Sequence, residues 1–362
     1  MKRAILFNVP VSVCNMRCHY CYIGQRPEGY TGLIPEMRFS PSEIGYAMRP
    51  ERLGGTSFFN ITAGGETLLV PQLRDYAKAI VDEGHYLEIV SNMTLSKQLS
   101  EVLSIGREAL SHIEFKCSFH YLELERKGLL ECFAENVNRA WDSGASISIE
   151  TTANDELIPH IDEVKAFSLE HFGALPHVTI ARDDNTYGID RLTMLDLDTY
   201  NKTWSQFDSP FFDFKTSIFG RKQKDFCYAG LWSCHANLST GEARQCVCGS
   251  VIGNLFENPD DPINWNPIGK CQLPHCYNGH AFLTLGTIPG FTDMTYSDMR
   301  DRVRKDGSHW LHDDLRAFYG GKLEACNDEL EKKVKLQAAI KAIPGREVAK
   351  AKRVRKTIIR NR

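Results

Sequence analysis

Between residues 3 and 207, short apolar or β-branched runs alternate six times with segments patterned as helices. That order is the signature of parallel βαβ units, in which each strand reaches its neighbour through a crossover helix. The predicted strands are 3–9, 57–62, 86–90, 112–117, 145–151 and 177–181. Ser40-Pro41-Ser42-Glu43 reads as a capping box with proline at the first helical position, so a helix starts there and stops before Pro50. Leu73, Tyr76, Ala77, Ile80 and Val81 recur at helical spacing until Gly84 ends the run. Further helices are predicted over 95–108, 122–141, 158–171 and 197–207. Six units fall short of the eight that close a barrel. The expected fold is therefore α/β: a partial, open-sided (β/α)6 TIM-type barrel with its chemistry at the C-terminal ends of the strands.

After residue 207 five phenylalanines cluster between Phe211 and Phe226, and a cysteine-rich stretch follows among glycines. The expected organisation is a barrel over 1–210, a small cysteine-rich module over 211–295, and a helical region with a basic tail over 296–362. One long helix is predicted over 322–343, ended by Pro344-Gly345. The last stretch carries eight Lys or Arg against the single acid Glu347. It is either a solvated terminus or a tail that contacts an acidic partner. No apolar run approaches the roughly 18 residues of a membrane span, and Met1-Lys2-Arg3 leads into the first strand without a small-residue cleavage site. The expected location is the cytoplasm.

There, twelve cysteines need an explanation other than disulfides, which rarely persist in a reducing compartment. Nine of them fall into two groups, Cys14, Cys18 and Cys21 near the start and Cys227, Cys234, Cys246, Cys248, Cys271 and Cys276 later. Cys117, Cys132 and Cys326 stand alone and read as small buried hydrophobes. The first group has the spacing CxxxCxxC and directly follows the first strand. Three thiolates are one short of the four that close a zinc site or an iron-sulfur cubane, which suggests a cluster with one iron left open. A zinc knuckle completed by His19 is the alternative.

These residues resemble the radical SAM superfamily, whose CxxxCxxC loop holds a 4Fe-4S cluster and whose fourth iron is chelated by S-adenosylmethionine. Gly64-Gly65-Glu66, after the second strand, matches the family's GGE motif. A glycine pair lets a backbone approach a ligand closely, and the carboxylate can accept hydrogen bonds from the bound ammonium group; taken alone, the three residues could be only a tight turn. Tyr20 matches the aromatic place beside the adenine. Ser91-Asn92 resembles the short polar motif near the ribose, and Ser118 a residue near the methionyl end. His120, Glu150 and Arg182 are candidates for holding substrate at the barrel mouth, with no motif behind them.

The second group resembles the opening of the SPASM or shorter twitch extension, which binds auxiliary iron-sulfur clusters. Its later half departs from the full pattern, so a single auxiliary 4Fe-4S cluster is expected, held by Cys227, Cys246 and at least one of Cys271 and Cys276. Cys234 is the expected fourth ligand, Cys248 a doubtful one, and a zinc ribbon the alternative. The resemblance implies reductive cleavage of S-adenosylmethionine to a 5'-deoxyadenosyl radical, which abstracts a substrate hydrogen. The electron comes from a flavodoxin- or ferredoxin-type donor. The expected outcome is oxidation, cross-linking or epimerisation of a peptide or protein, although no leader-binding domain is expected before the first barrel strand. A sugar or aminocyclitol-type molecule is the alternative substrate, and a non-catalytic zinc module binding nucleic acid is the competing class.

Overall fold

The computed structural model describes residues 1–26, 29–186, 188–247, 249–276 and 279–341. Six strands, β1 (Ala4–Val9), β2 (Phe58–Ala63), β3 (Tyr86–Ser91), β4 (Ile113–Ser118), β5 (Ser146–Ala153) and β6 (His177–Ile180), lie side by side in chain order. Every neighbouring pair among them is parallel, so all six C-terminal ends fall on one edge. The fold is the expected α/β partial barrel. Its strands are buried on both faces, as parallel strands covered by crossover helices must be. Ile5, Phe7, Phe59, Ile61, Leu87, Ile89, Phe115, Ile147 and Ile149 are fully inaccessible and form the main core. Each such side chain contributes about 1.5–3 kcal/mol of transfer free energy.

The helices follow the sequence where capping and periodicity agree. Ser40 and Glu43 form the capping box of the helix Pro41–Ala47, and the helix Leu73–Asp82 stops before Gly84, which takes a φ of 74°. Two expected helices are broken instead. The stretch 122–141 divides into Tyr121–Arg126 and Leu130–Asp142 around Gly128 at φ 65°, and 95–108 divides into Ser96–Leu103 and Arg107–Leu110 around Gly106 at φ 99°. Side-chain periodicity runs on through both glycines, but a left-handed residue ends a helix. The long helix expected over 322–343 is likewise two helices, Leu323–Cys326 and Lys332–Lys341, with residues 342–343 and the basic tail outside the described residues.

The sheet does not end at β1. Ser233–Asn237 pairs parallel to β1, with Ile5 opposite Cys234 and Phe7 opposite Ala236, and two antiparallel strands, Glu242–Arg244 and Val251–Asn254, extend it further. At the N-terminal end of the barrel a second core gathers Ala4, Phe58, Tyr228, Trp232, Tyr296, Met299, Leu311 and Tyr319. Among the described residues no helix is long and apolar enough to cross a membrane.

Candidate active site

A cleft of about 330 Å3 opens at the C-terminal ends of the strands. At its mouth the loop leaving β1 brings Cys14, Cys18 and Cys21 together with Tyr20. Burial pushes the Cys14 thiol up to about 11 and raises Cys18 well above its ordinary value, and the neighbouring thiols add to both shifts. Ionising these thiols therefore needs a positive partner, which a bound metal supplies. The backbone N–H of Met16 donates to Cys14 Sγ at 3.4 Å and the Tyr30 hydroxyl to Cys21 Sγ at 3.1 Å. His19 does not line the cleft; its Nδ1 lies 3.3 Å from Glu156 Oε2. It is not placed to complete a zinc site with the three thiols.

The glycine pair lets two segments of the chain pass close to each other, and Gly65 also lines the cleft. Gly64 N–H donates to Val9 O at 3.0 Å, and Glu66 N–H to Val13 O at 2.8 Å. A Cβ on Gly65 would stand 2.1 Å from the Val13 carbonyl oxygen and 2.7 Å from its carbon, directly before Cys14. Only glycine lets the cysteine loop cross here. Gly65→Ala is therefore expected to cost about 1–3 kcal/mol and to lower iron uptake at the loop. Thermal melting and iron analysis of the same sample check both; a variant with wild-type melting and iron would remove this role.

Glu66 is buried at 3% exposure, and its carboxylate accepts from Leu68 N–H at 2.9 Å, the Ser91 hydroxyl at 2.7 Å and Asn92 N–H at 2.9 Å. Burial raises its pKa against those hydrogen bonds. Among the described residues no Lys, Arg or His pairs with it. Ser91 and Asn92, expected near a ribose, here hold the Glu66 carboxylate, while Asn92 Nδ2 also donates to Asn15 Oδ1 at 2.8 Å. A buried carboxylate fixed by neutral donors at a cleft wall is suited to receive a cation.

Ser118, His120, Glu150 and Arg182 all line the same cleft. His120 Nδ1 and the Tyr20 hydroxyl are 2.8 Å apart, and burial pushes the imidazole down to about 4, so it is neutral at pH 7. Burial opposes ionisation of Glu150, but Lys116 Nζ at 3.1 Å and Arg300 Nη1 at 2.9 Å hold it down to about 2. Arg182 lies 4.4 Å over the Tyr22 ring and 3.6 Å from Asp184.

Sequence reasoning missed Glu88, Lys116, Lys215, His280, Tyr296 and Arg300, which line the floor of this cleft. A signal existed for Glu88 and Lys116, since a charge inside a strand covered on both faces needs a buried partner. None existed for Arg300, which arrives from a helix at Tyr296–Arg300.

A second, largely apolar pocket is lined by Cys227, Cys246, Cys271 and Cys276 together with Phe282, Leu283 and Ile288. Phe226–Cys227 pairs antiparallel with Gly269–Lys270, which sets Cys271 beside Cys227. Burial pushes Cys227 up to about 12. Four soft thiols in an apolar pocket suit an iron-sulfur cluster or zinc. Among the described residues no three His, Cys, Asp or Glu side chains stand close enough to grip one metal ion between them. Cys234 is a correction: its place opposite Ile5 on the sheet sends it into the main barrel core with Ala236, away from this pocket. Cys248 lies outside the described residues.

No protein-family model matches the chain. A segment of 170 residues is 25% identical to the protein YfkA of Bacillus subtilis (strain 168), covering 42% of this chain and 44% of that one. The match thus spans less than half of the relative's length. Among solved structures, Streptococcus suis SuiB bound to S-adenosylmethionine is 14% identical over 72% of this chain and 64% of its own, with a TM-score of 0.46. The structure of anSMEcpe with bound AdoMet is 16% identical over 70% and 78%, with a TM-score of 0.49. BtrN in complex with AdoMet and 2-DOIA is 12% identical over 70% and 79%, with a TM-score of 0.37.

Proposed function

We propose that this chain is a radical S-adenosylmethionine enzyme that removes a hydrogen atom from a peptide or protein, leading to oxidation, cross-linking or epimerisation. One observation carries the reading: three thiols on the loop after β1 share a cleft with a buried carboxylate that has no basic partner among the described residues. In this reading Cys14, Cys18 and Cys21 hold a 4Fe-4S cluster. When bound there with S-adenosylmethionine, such a cluster supplies the electron that breaks the cofactor's carbon–sulfur bond. Glu66 receives the cofactor's ammonium group, Ser91 and Asn92 keep that carboxylate in place, and Tyr20 flanks the adenine. Ser118 closes the methionyl end. The chain's own contribution is orientation and the exclusion of water and stray hydrogen donors from the cleft. A flavodoxin- or ferredoxin-type protein supplies reducing equivalents. The peptide or protein substrate class follows from the resemblance of the second cysteine group to extensions common among peptide-modifying enzymes.

Cys227, Cys246, Cys271 and Cys276 would hold an auxiliary 4Fe-4S cluster. Anaerobic reconstitution is expected to give a brown protein with about eight irons per chain that forms 5'-deoxyadenosine on reduction with S-adenosylmethionine. A colourless, zinc-loaded protein that forms none would overturn the reading. Cys246→Ala is expected to lower iron by about four per chain while cofactor cleavage persists, and Cys234→Ala to leave iron unchanged. Iron analysis of the two variants decides between the pocket four and a set including Cys234.

A further inference from the structure

The floor of the cleft holds a cation that, among the described residues, forms no ion pair. Lys215, on the helix Pro210–Ile218, is 7% exposed and donates to the Thr179 hydroxyl, with its Nζ 5.4 Å from the centre of the Phe211 ring. Among the described residues no carboxylate pairs with it. Glu150, the acid that acts on it, is already committed to Lys116 and Arg300. Arg182, on the same cleft wall, faces Asp184. An independent observation points the same way. His280 lines the cleft, and its Nδ1 is buried with no hydrogen-bond partner, although the neighbouring cations Lys215, Lys116, Arg300 and Arg182 act on it. A buried ammonium beside an unused imidazole nitrogen costs several kcal/mol unless an anion joins them. Burial first, then the neighbouring cations, push Lys215 down to about 7, the strain such an anion would relieve.

We propose that the cleft floor binds an anionic group of the substrate, a carboxylate or a phosphate, against Lys215, with His280 and Lys116 beside it. The charge sits below the strand ends, so it anchors one end of the substrate while the rest reaches up towards the cysteine loop. The inference rests on the proposed function only in calling the occupant a substrate; the anion site itself stands on Lys215 and His280.

The test is thermal melting of the reconstituted full chain with glutarate, inorganic phosphate or the neutral glutaramide, at constant ionic strength. Saturating anion is expected to raise the melting temperature by about 2–4 °C, glutaramide to leave it unchanged, and Lys215→Gln to lose the rise. His280→Gln should lose part of it, and Lys78→Gln, at an exposed pair with Asp82, should keep all of it. A response to glutarate alone assigns a carboxylate, and to phosphate alone a phosphate. No rise with either anion, an equal rise with glutaramide, or a full rise in Lys215→Gln overturns the proposal. Iron content and 5'-deoxyadenosine formation, read on the same preparation, report separately on the proposed enzyme function.

Discussion

Cys14→Ala is expected to abolish the proposed 5'-deoxyadenosine formation and to lower the iron content by about four per chain. The expected size follows from the ligand count. The loop offers three thiols, and the polar groups around them are already committed: Asn15 Nδ2 donates to Thr94 at 2.7 Å, and Tyr30 donates to Cys21. Neither of these side chains is spare to replace a missing sulfur. Loss of a mere outer partner of a metal ligand costs 10–100-fold, so loss of the ligand itself is expected to exceed about 100-fold. The variant should still fold, since the methylene of a half-buried Cys14 adds little to a core made of whole strands. Product formation by chromatography, with circular dichroism on the same sample, checks this; cleavage within tenfold of wild type would remove the loop from the chemistry.

Arg300→Met is expected to destabilise the fold by about 3–5 kcal/mol, the cost of leaving a buried charge without its partner. Arg300 is 1% exposed and reaches Glu150 at 2.9 Å and Glu88 at 3.8 Å, with its guanidinium 5.1 Å over both Phe211 and Tyr296. Glu114 lies deeper; burial and then Glu88 raise it to about 7, with Arg300 opposing. Without Arg300 the carboxylates of Glu88, Glu114 and Glu150 keep, among the described residues, Lys116, the Asn60 amide and the hydroxyls of Tyr296, Tyr319 and Ser148. In the wild type Glu150, depressed from 4.5 to about 2, adds stability that is present above pH 4.5 and lost as pH falls towards 2. In the variant the carboxylates titrate higher, and acids raised in the folded state lose stability as pH rises through their pKa. The deficit should therefore be larger at pH 8 than at pH 5. Denaturant titration at both values measures it, and an equal deficit would show that packing alone is at stake.

The parts legible in the sequence were those written in local pattern. Strand positions emerged to within a residue or two because each run is apolar, short and bounded by turn residues. The Cys14–Cys18–Cys21 loop and Glu66 were legible because β1 and β2 end where their motifs begin. What escaped depends on contacts distant along the chain. Cysteine spacing alone cannot say that Cys234 faces the barrel core while Cys271 and Cys276 face Cys227, because that is decided by the pairing of 233–237 with β1 and of 226–227 with 269–270. Arg300 was hidden for the same reason. It is one of four basic residues between 300 and 305, with Arg302, Arg304 and Lys305, and only the docking of its helix under the barrel makes it the counter-ion of two strands. Lys215 lies on a phenylalanine-rich helix, and nothing local marks which face that helix turns to β6.

The strand beside β1 has a consequence for synthesis. Ala4 is hydrogen-bonded into register with both Phe58 and Ser233, so the segment that launches the cysteine loop keeps one bare flank until more than 230 residues have been translated. At 5–20 residues per second that wait lasts roughly 10–50 s, during which an unpaired strand edge and three thiols stand open to oxygen and to other nascent chains. If the loop holds the proposed cluster, loading would follow the synthesis of residues 233–237, and expression under oxygen-poor growth is the condition under which the loop would survive to receive its metal.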